Sequence, residues 1–116
     1  MNDSPIKEKS YKFAIRIVKL YKHLTEEKHE YVLSKEVLRA GTEIGAHVRE
    51  ATKGVSRTDF IQQMALALRY NSRAEYWLEL LRDSDYLTPA AFDSMHKDSK
   101  ELEKLLTSIV KTSRQS

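Results

Sequence analysis

The stretch SPIKEKSYKFAIRIVKLYKHL, Ser4–Leu24, decides the fold class. Its apolar side chains recur at alternating spacings of four and three residues, with one serine in an apolar position: Ile6, Ser10, Phe13, Ile17, Leu20 and Leu24. This spacing predicts an α-helix with one apolar stripe, packed against other helices at a shallow angle. Ser4 followed by Pro5 is a typical helix start, because proline lacks the N–H that the first helical residues do not use.

Three further stretches repeat this rhythm. Their expected core positions are Val37, Gly41, Ile44, Val48 and Ala51; Phe60, Met64, Ala67, Asn71, Ala74, Leu78 and Leu81; and Phe92, Met95, Ser99, Leu102, Leu106 and Ile109. Gly54 is a typical helix stop, Ser56 with Asp59 resembles a capping box, and Thr88 followed by Pro89 is a start signal. The predicted helices span about residues 5–26, 32–53, 57–82 and 89–111.

Four helices with short connections predict an all-α, antiparallel up-down-up-down four-helix bundle. The 116 residues, 41% of them apolar, suit a single domain over residues 1–116. Cysteine is absent, so neither disulfides nor thiolate metal sites form. No apolar run reaches the length of a membrane span, and the N-terminus lacks the apolar stretch of a signal peptide. We therefore expect a cytoplasmic protein with no membrane contact.

The third helix carries more apolar surface than one core stripe needs. Leu66, Tyr70, Trp77 and Leu80, with Arg73 among them, are expected opposite its core positions. An uncovered apolar face of this kind usually marks association, so these five residues are a predicted interface of a homo-oligomer. In the first helix, the extra apolar residues Ile15 and Val18 could instead be the edge of a wide core face.

Two glycines inside the second helix, Gly41 and Gly45, predict close packing of that helix against a bulky neighbour such as Trp77 or Phe60. Asn71 falls in the core register of the third helix. Because a buried amide must be hydrogen-bonded, Asn71 is expected to fix the register of the bundle, with a ligand site as the less favoured interpretation.

Motifs of catalysis are missing from the sequence: it has no phosphate-binding glycine loop, nucleophile elbow or His-Glu-x-x-His helix. His47 shares a helical face with Glu43 and Glu50, a spacing that also occurs in ordinary surface pairs. We expect no enzyme activity, no cofactor and no metal.

The first helix has charges of one sign. Lys9, Lys12, Arg16, Lys19 and Lys22 occur between Lys9 and Thr25, where there is no acid. Such a ridge is either a solvated face or a surface that attracts phosphate backbones without reading their sequence. The sequence therefore predicts non-specific RNA or DNA binding by these five residues. The alternative is a protein-interaction scaffold that docks an acidic partner.

Four motifs resemble one known family. They are SYKFAIRIVKLYKHL (Ser10–Leu24), LSKEVLRAGTEIGAHVREA (Leu33–Ala51), SRTDF (Ser56–Phe60) and YWLELL (Tyr76–Leu81). In this order they resemble the four-helix-bundle proteins encoded in intervening sequences of bacterial 23S ribosomal RNA genes. That family is similar to the accessory variability protein of diversity-generating retroelements, a basic homopentamer that binds nucleic acid and partners a reverse transcriptase.

The resemblance implies a bacterial cytoplasmic protein that assembles as a cyclic pentamer. It also implies RNA or DNA as a partner and, by analogy, a reverse transcriptase or another protein. Four positions depart from the family pattern: Glu43 stands in place of serine, His47 in place of asparagine, and Tyr70 and Arg73 in place of acids. Lost acids make the surface around the last two more basic or alter a subunit contact.

Overall fold

The computed structural model describes residues 4–115, in which the chain forms four α-helices and no strand. The helices are α1 (Ser4–Glu26), α2 (Leu33–Thr52), α3 (Arg57–Asp83) and α4 (Pro89–Gln115). The predicted all-α four-helix bundle is confirmed. Helix α4 continues four residues beyond its predicted end at residue 111. The side chain of Ser4, predicted to cap α1, lies outside the described part of the chain.

The helices form an elongated bundle of 46 × 21 × 18 Å. Each helix packs against the next one along the chain, and α1 also packs against α4. Within the described residues, no Cα atom of α1 lies within 8 Å of one in α3, and none of α2 lies within 8 Å of one in α4, so these pairs are diagonal. The seam between α1 and α4 is the loosest of the four, and no turn connects these two helices.

The predicted core positions lie between the helices, with two exceptions. Phe60 and Ile109 are half-buried, and Val110 takes the buried position expected for Ile109. A strict seven-residue repeat drifts by about 20° per heptad on a straight α-helix. The heptad spacing therefore misplaces the last predicted core position of α4. Phe60 lies in the first turn of α3, at one end of the bundle, where fewer neighbours cover it.

Two helix starts agree with the capping residues predicted from sequence. Ser56 Oγ accepts a hydrogen bond from the backbone N–H of Asp59 at 3.1 Å, before the first residue of α3. Thr88 Oγ1 accepts from the N–H of Ala91 at 3.1 Å, and α4 begins at Pro89. In both cases a side-chain oxygen satisfies an N–H group that has no partner within the helix.

Helix α2 is capped by a carboxylate that the sequence did not reveal. Glu30 is buried, and its carboxylate accepts the N–H groups of Val32 at 3.1 Å, Leu33 at 2.9 Å and Ser34 at 2.6 Å. Ser34 Oγ donates back to the carbonyl oxygen of Glu30 at 2.9 Å. Burial alone would raise the pKa of Glu30, but the backbone donors outweigh it and hold the pKa below its usual range.

Two non-glycine residues of the described chain adopt the left-handed conformation where helices end. His29 has a φ of 54° and Asp85 a φ of 68°. After α3, the N–H of Tyr86 donates to the carbonyl oxygen of Leu81 at 2.9 Å, which is the 6→1 bond of a Schellman motif. Gly54 follows the C-cap of α2, as predicted, but no glycine among the described residues has a positive φ.

The two glycines of α2 face α1 rather than the aromatic side chains proposed from sequence. A Cβ at Gly41 would lie 2.7 Å from Cδ1 and 2.9 Å from Cγ2 of Ile17, a fully buried side chain of α1. A Cβ at Gly45 would lie 3.4 Å from the carbonyl oxygen of Ser10, an ordinary contact. Trp77 and Phe60 are therefore not the neighbours, because α2 turns this edge toward α1 and not toward α3.

Asn71 occupies the core, and both polar atoms of its side chain have a hydrogen-bond partner. Its Nδ2 donates to the backbone carbonyl of Ser99 at 2.9 Å, and Ser99 Oγ donates to Asn71 Oδ1 at 3.0 Å. Both side chains are buried. This reciprocal pair joins α3 to α4 at one register, which agrees with the structural interpretation of Asn71.

Candidate functional site

Two of the five predicted basic residues turn toward α4. Lys9 Nζ lies 3.0 Å from Glu101 Oε2. Arg16 Nη1 lies 2.6 Å from Asp98 Oδ2, and its Nη2 donates to Ser94 Oγ at 2.8 Å. The hydrogen bond from Lys9 to Glu101 raises the pKa of Lys9, so its charge persists at any physiological pH. These two cations are thus partly neutralised by acids of α4.

The other three predicted residues point outward. Lys12, Lys19 and Lys22 are exposed. Lys12 Nζ approaches Glu8 Oε1 only at 3.8 Å, between side chains that are about 70% exposed. Lys19 and Lys22 have no ion pair with any residue in the described range 4–115. We call these three lysines the outer basic face.

An apolar strip runs beside the outer basic face on the same helix. Tyr11 is 56% exposed, Ile15 42% and Val18 38%. They are spaced by four and three residues, so they lie along one line of α1. The guanidinium of Arg49, on α2, lies 5.6 Å from the centroid of the Tyr11 ring. The interpretation of Ile15 and Val18 as the edge of the core is wrong, because both are exposed.

The stripe predicted on α3 flanks the core instead of lying opposite to it. Leu66, Tyr70, Trp77 and Leu80 are half-buried, and only Arg73 is exposed. Tyr70 and Trp77 pack against the edge of the core. The Tyr70 ring stacks on the imidazole of His47 with centroids 5.3 Å apart and planes 13° apart. The expectation of an opposite face was wrong, because at 3.6 residues per turn the stripe lies only about 110° around α3 from the core positions. It therefore flanks the core, and α2 covers part of it.

His47 is engaged in contacts between α2 and α3. Its Nδ1 lies 2.7 Å from Gln63 Oε1, and its Nε2 lies 3.9 Å from Glu43 Oε1. Together with the stacked Tyr70 ring, these contacts hold the imidazole against α3. His47 is therefore part of the packing between the two helices, and it is not brought together with further histidines.

A second polar cluster links α3 and α4. Glu75 Oε2 lies 2.7 Å from His96 Nε2 and 3.0 Å from Lys100 Nζ. Ligand atoms of Glu75, Glu79 and His96 all lie within 4.8 Å of one another, a spacing that a cation could use. However, the ammonium group of Lys100 already pairs with the carboxylate of Glu75. Burial alone would raise the pKa of Glu75, but the hydrogen bonds from Lys100 and His96 outweigh it and lower that pKa.

An open groove lies at the end of the seam between α1 and α4. Its volume is about 820 Å³, and α1, the turn after it, the end of α3, the α3–α4 turn and the start of α4 all line it. The charged lining residues are Arg16, Lys19, Lys28, Arg82 and Asp85, and the imidazole of His23 also lines the groove. Only Arg16 and Lys19 belong to the basic residues predicted from sequence, because Lys28, Arg82 and Asp85 come from segments that meet α1 only in the folded chain.

The acids that pair with α1 carry a signal that sequence analysis did not use. Asp98 and Glu101 are three residues apart and therefore lie on one face of α4. In an up-down-up-down bundle the first and fourth helices are neighbours, so an acidic edge on one and a basic edge on the other are expected to meet.

Within residues 4–115, no helix combines the length and the apolar character that crossing a bilayer demands.

Comparisons with known proteins agree with the fold and with the four sequence motifs. A family model described as 23S rRNA-intervening sequence protein matches residues 2–108. A crystal structure described as a protein with unknown function from the S23 ribosomal protein family of Bacteroides thetaiotaomicron has a TM-score of 0.94 and 50% sequence identity. That match covers 96% of this chain and 99% of the other. A search of curated protein sequences gave no significant match. The chain belongs to the 23S rRNA-intervening sequence protein family.

Proposed function

We propose that this protein is a non-catalytic, self-assembling helical bundle that binds the phosphate backbone of RNA or DNA through the outer basic face. The observation that carries the proposal is the outward side of α1. There, Lys19 and Lys22 have no acidic partner among the described residues, and exposed apolar side chains lie directly beside them. One side of one helix thus offers both charge for a polyanion and apolar area for assembly.

The nucleic-acid part of the proposal depends on free cations. Lysine ammonium groups that are not neutralised by carboxylates attract phosphates and release condensed counterions, without reading bases. Lys19 and Lys22 supply such groups, and Lys12 has only a long, exposed contact of 3.8 Å with Glu8. Lys9 and Arg16, in contrast, are shared with Glu101 and Asp98. The proposed footprint is therefore narrower than the five residues expected from sequence.

The assembly part depends on two apolar surfaces on different helices. One is the strip Tyr11, Ile15 and Val18 of α1, and the other is the half-buried stripe of α3 that includes Trp77. Since α1 and α3 are diagonal in the bundle, these surfaces face different directions. Head-to-tail contacts between two unlike surfaces form a ring when the rotation between neighbouring subunits closes, and such a ring fits the cyclic pentamer implied by the family resemblance.

A binding experiment tests the nucleic-acid part. Fluorescence anisotropy with labelled RNA and DNA, between about 50 and 200 mM salt, compares the wild type with Lys19→Glu/Lys22→Glu. The control is Lys35→Glu/Lys53→Glu, which changes the net charge equally through exposed lysines of α2 and its C-cap. We expect the first pair to weaken binding strongly and to flatten the salt dependence, while the control retains both. Equal effects of the two pairs, or no binding by the wild type, would refute this part.

Native mass spectrometry tests the assembly part. Ile15→Glu and Val18→Glu, on the apolar strip, are expected to reduce the oligomer to smaller species, since each places a charge in a contact that excludes water. Val55→Glu is the matched control, because Val55 is 93% exposed and lies outside both surfaces. A wild type that is monomeric throughout, or strip variants that assemble normally, would contradict the proposal.

The alternative function is a scaffold whose basic face docks an acidic protein, such as a reverse transcriptase or another partner implied by the family resemblance. One observation supports it: carboxylates of α4 already fit against Lys9 and Arg16, so the basic side of α1 accommodates acidic side chains. Affinity capture with and without nuclease separates the two functions. Partners that survive nuclease treatment, combined with no direct binding to RNA or DNA, support the scaffold.

A further inference from the structure

The groove at the end of the α1–α4 seam has an apolar floor. Leu20, Leu87 and Met95 line it and are themselves almost fully buried, so they form the base of the groove rather than its exposed edge. The half-buried ring of Tyr86 adds an aromatic surface. A volume of about 820 Å³ lies within the range of roughly 300–1,000 Å³ that small-molecule sites occupy.

Cations surround this apolar floor. Arg16 and Lys19 come from α1, Lys28 from the turn after α1, and Arg82 from the end of α3, whereas Asp85 is the one acid among the lining residues. Three segments of the chain thus deliver positive charge to one concave surface. An apolar base with a few charged groups at its edge is the composition of sites that hold a flat ring and an attached anion.

Two of these cations are held by neighbouring side chains and two are not. Arg16 is held by Asp98 and Ser94, and the Arg82 guanidinium stacks on the Phe92 ring at 4.2 Å from its centroid. Lys19 and Lys28 are exposed and have no ion pair among residues 4–115. Their ammonium groups are therefore available to a bound anion without breaking an existing contact.

We infer that this groove binds a nucleotide, with the base against the apolar floor and Tyr86 and the phosphate between Lys19 and Lys28. The nucleotide is either free or an unpaired residue of a single strand, and the second case rests on the proposed nucleic-acid function. Unpaired bases stack on aromatic rings while their phosphates follow basic grooves, whereas a base inside a duplex is not accessible to such a floor.

Continuity with the outer basic face favours a nucleotide over an acidic peptide. Lys19 belongs to both surfaces, and Lys12 and Lys22 extend the line of positive charge along α1. A nucleic-acid strand whose phosphates follow this line of lysines reaches the groove, where the apolar floor can contact its unpaired bases. An acidic peptide would satisfy the cations but would leave the apolar floor and the Tyr86 ring uncovered. The groove therefore gives the oligomer a preference for single strands over duplexes.

Amide chemical-shift mapping of the full-length protein tests the inference. The probes are adenosine 5′-monophosphate, inorganic phosphate, a short single-stranded RNA, the matching duplex and a glutamate-rich peptide. We expect the mononucleotide and the single strand to shift amides between Tyr86 and Met95 and around Lys19. Phosphate, duplex and peptide are expected to shift them much less at equal concentration.

Substitutions in the groove sharpen the test. Asp85→Asn removes the one acid, and asparagine tolerates the left-handed conformation of that position, so the fold is expected to be retained. Binding of the mononucleotide should tighten roughly threefold, as for one charge removed a few ångströms from a phosphate in water. Lys28→Glu should weaken it by about tenfold, because it replaces an attraction with a repulsion. Lys53→Glu, at the C-cap of α2 and so at the opposite end of that helix from the groove, is the control for net charge.

The outcomes separate this inference from the proposed function. Groove shifts with the mononucleotide, altered by both groove variants, support the site; if long RNA then fails to bind, only the outer-face function falls. The nucleotide site in the groove is refuted if the groove amides do not shift and Lys28→Glu binds like the control. The proposed function still stands in that case if RNA binding depends on Lys19 and Lys22. Equal binding of the glutamate-rich peptide at the same amides also overturns the nucleotide assignment.

Discussion

Replacing Gly41 with alanine adds one methyl group where α2 approaches α1. On helix propensity alone, this change stabilises a helix interior by about 1 kcal/mol. The new Cβ would, however, lie 2.7 Å from Cδ1 and 2.9 Å from Cγ2 of Ile17, whereas carbon atoms in contact are about 3.5–4.0 Å apart. Ile17 is fully buried and cannot move into solvent. The helices must separate or the side chain must leave its rotamer.

Overpacking of this severity costs about 3 kcal/mol, the upper end of the usual range, so Gly41→Ala should destabilise the protein by about 2 kcal/mol. Gly45→Ala, on the same helix, is the matched control. Its Cβ would make an ordinary contact at 3.4 Å with the Ser10 carbonyl oxygen, so it should stabilise by about 0.5–1 kcal/mol. The two identical substitutions are therefore expected to differ by about 2.5–3 kcal/mol.

Urea denaturation followed by far-ultraviolet circular dichroism measures both variants, at one protein concentration because assembly contributes to stability. Ile17→Ala completes a double-mutant cycle. Alone it costs about 2–5 kcal/mol, but it removes the three side-chain atoms that the new Cβ would meet. In that background Gly41→Ala should become neutral or stabilising. Equal effects of the two glycine substitutions, or an unchanged cost of Gly41→Ala in the Ile17→Ala background, would refute the packing argument.

Three further predictions concern polar groups. Glu30→Gln should lower the free energy of unfolding by about 1–2 kcal/mol near neutral pH, as loss of a charged cap does. Because the folded-state pKa of Glu30 is lowered from 4.5, the carboxylate stabilises the fold above that pH and loses this effect as the pH falls below it. The urea unfolding curves of variant and wild type should therefore converge in acid. Asn71→Ala should cost about 2–3 kcal/mol in thermal or urea unfolding, since it leaves buried groups of Ser99 unpaired, whereas Ser99→Ala should cost less because the backbone bond from Asn71 survives; equal costs would contradict this. Asp98→Asn should free Arg16 to join the outer basic face and tighten RNA binding about fivefold in anisotropy at low salt. An unchanged affinity would show that Asp98 is not what keeps Arg16 from binding RNA.

The heptad spacing was sufficient to predict the fold and nearly all of the core. Spacings of three and four identify which residues of each helix face inward, and short connections determine which helices are neighbours. The wrong prediction of Ile109 as a core residue also comes from this spacing, since a repeat of 3.5 residues drifts relative to an α-helix of 3.6 residues per turn. Start signals that use a side chain next to the helix, such as Ser56 and Thr88, were also readable from the sequence.

The candidate site was less predictable because it depends on pairs of helices. A helical wheel of α1 identifies its basic residues but not the acids opposite them, so the partners of Lys9 and Arg16 were missed. The wheel of α3 likewise gave no account of the side that α2 covers, where Tyr70 stacks on His47. Glu30 escaped notice because it caps α2 from the preceding turn rather than from the position next to the helix.

Because the seam between α1 and α4 is loose, α1 is held less firmly to α4 than to α2. Helix α1 is held to α2 by close steric contact at Gly41, whereas two of its links to α4 are exposed ion pairs. Salt weakens exposed ion pairs and leaves close packing intact. At rising ionic strength, α1 and α2 should therefore keep moving as one body while α4 swings away from α1, so hydrogen exchange should reach the amides at the α1-facing edge of α4 before those of α2.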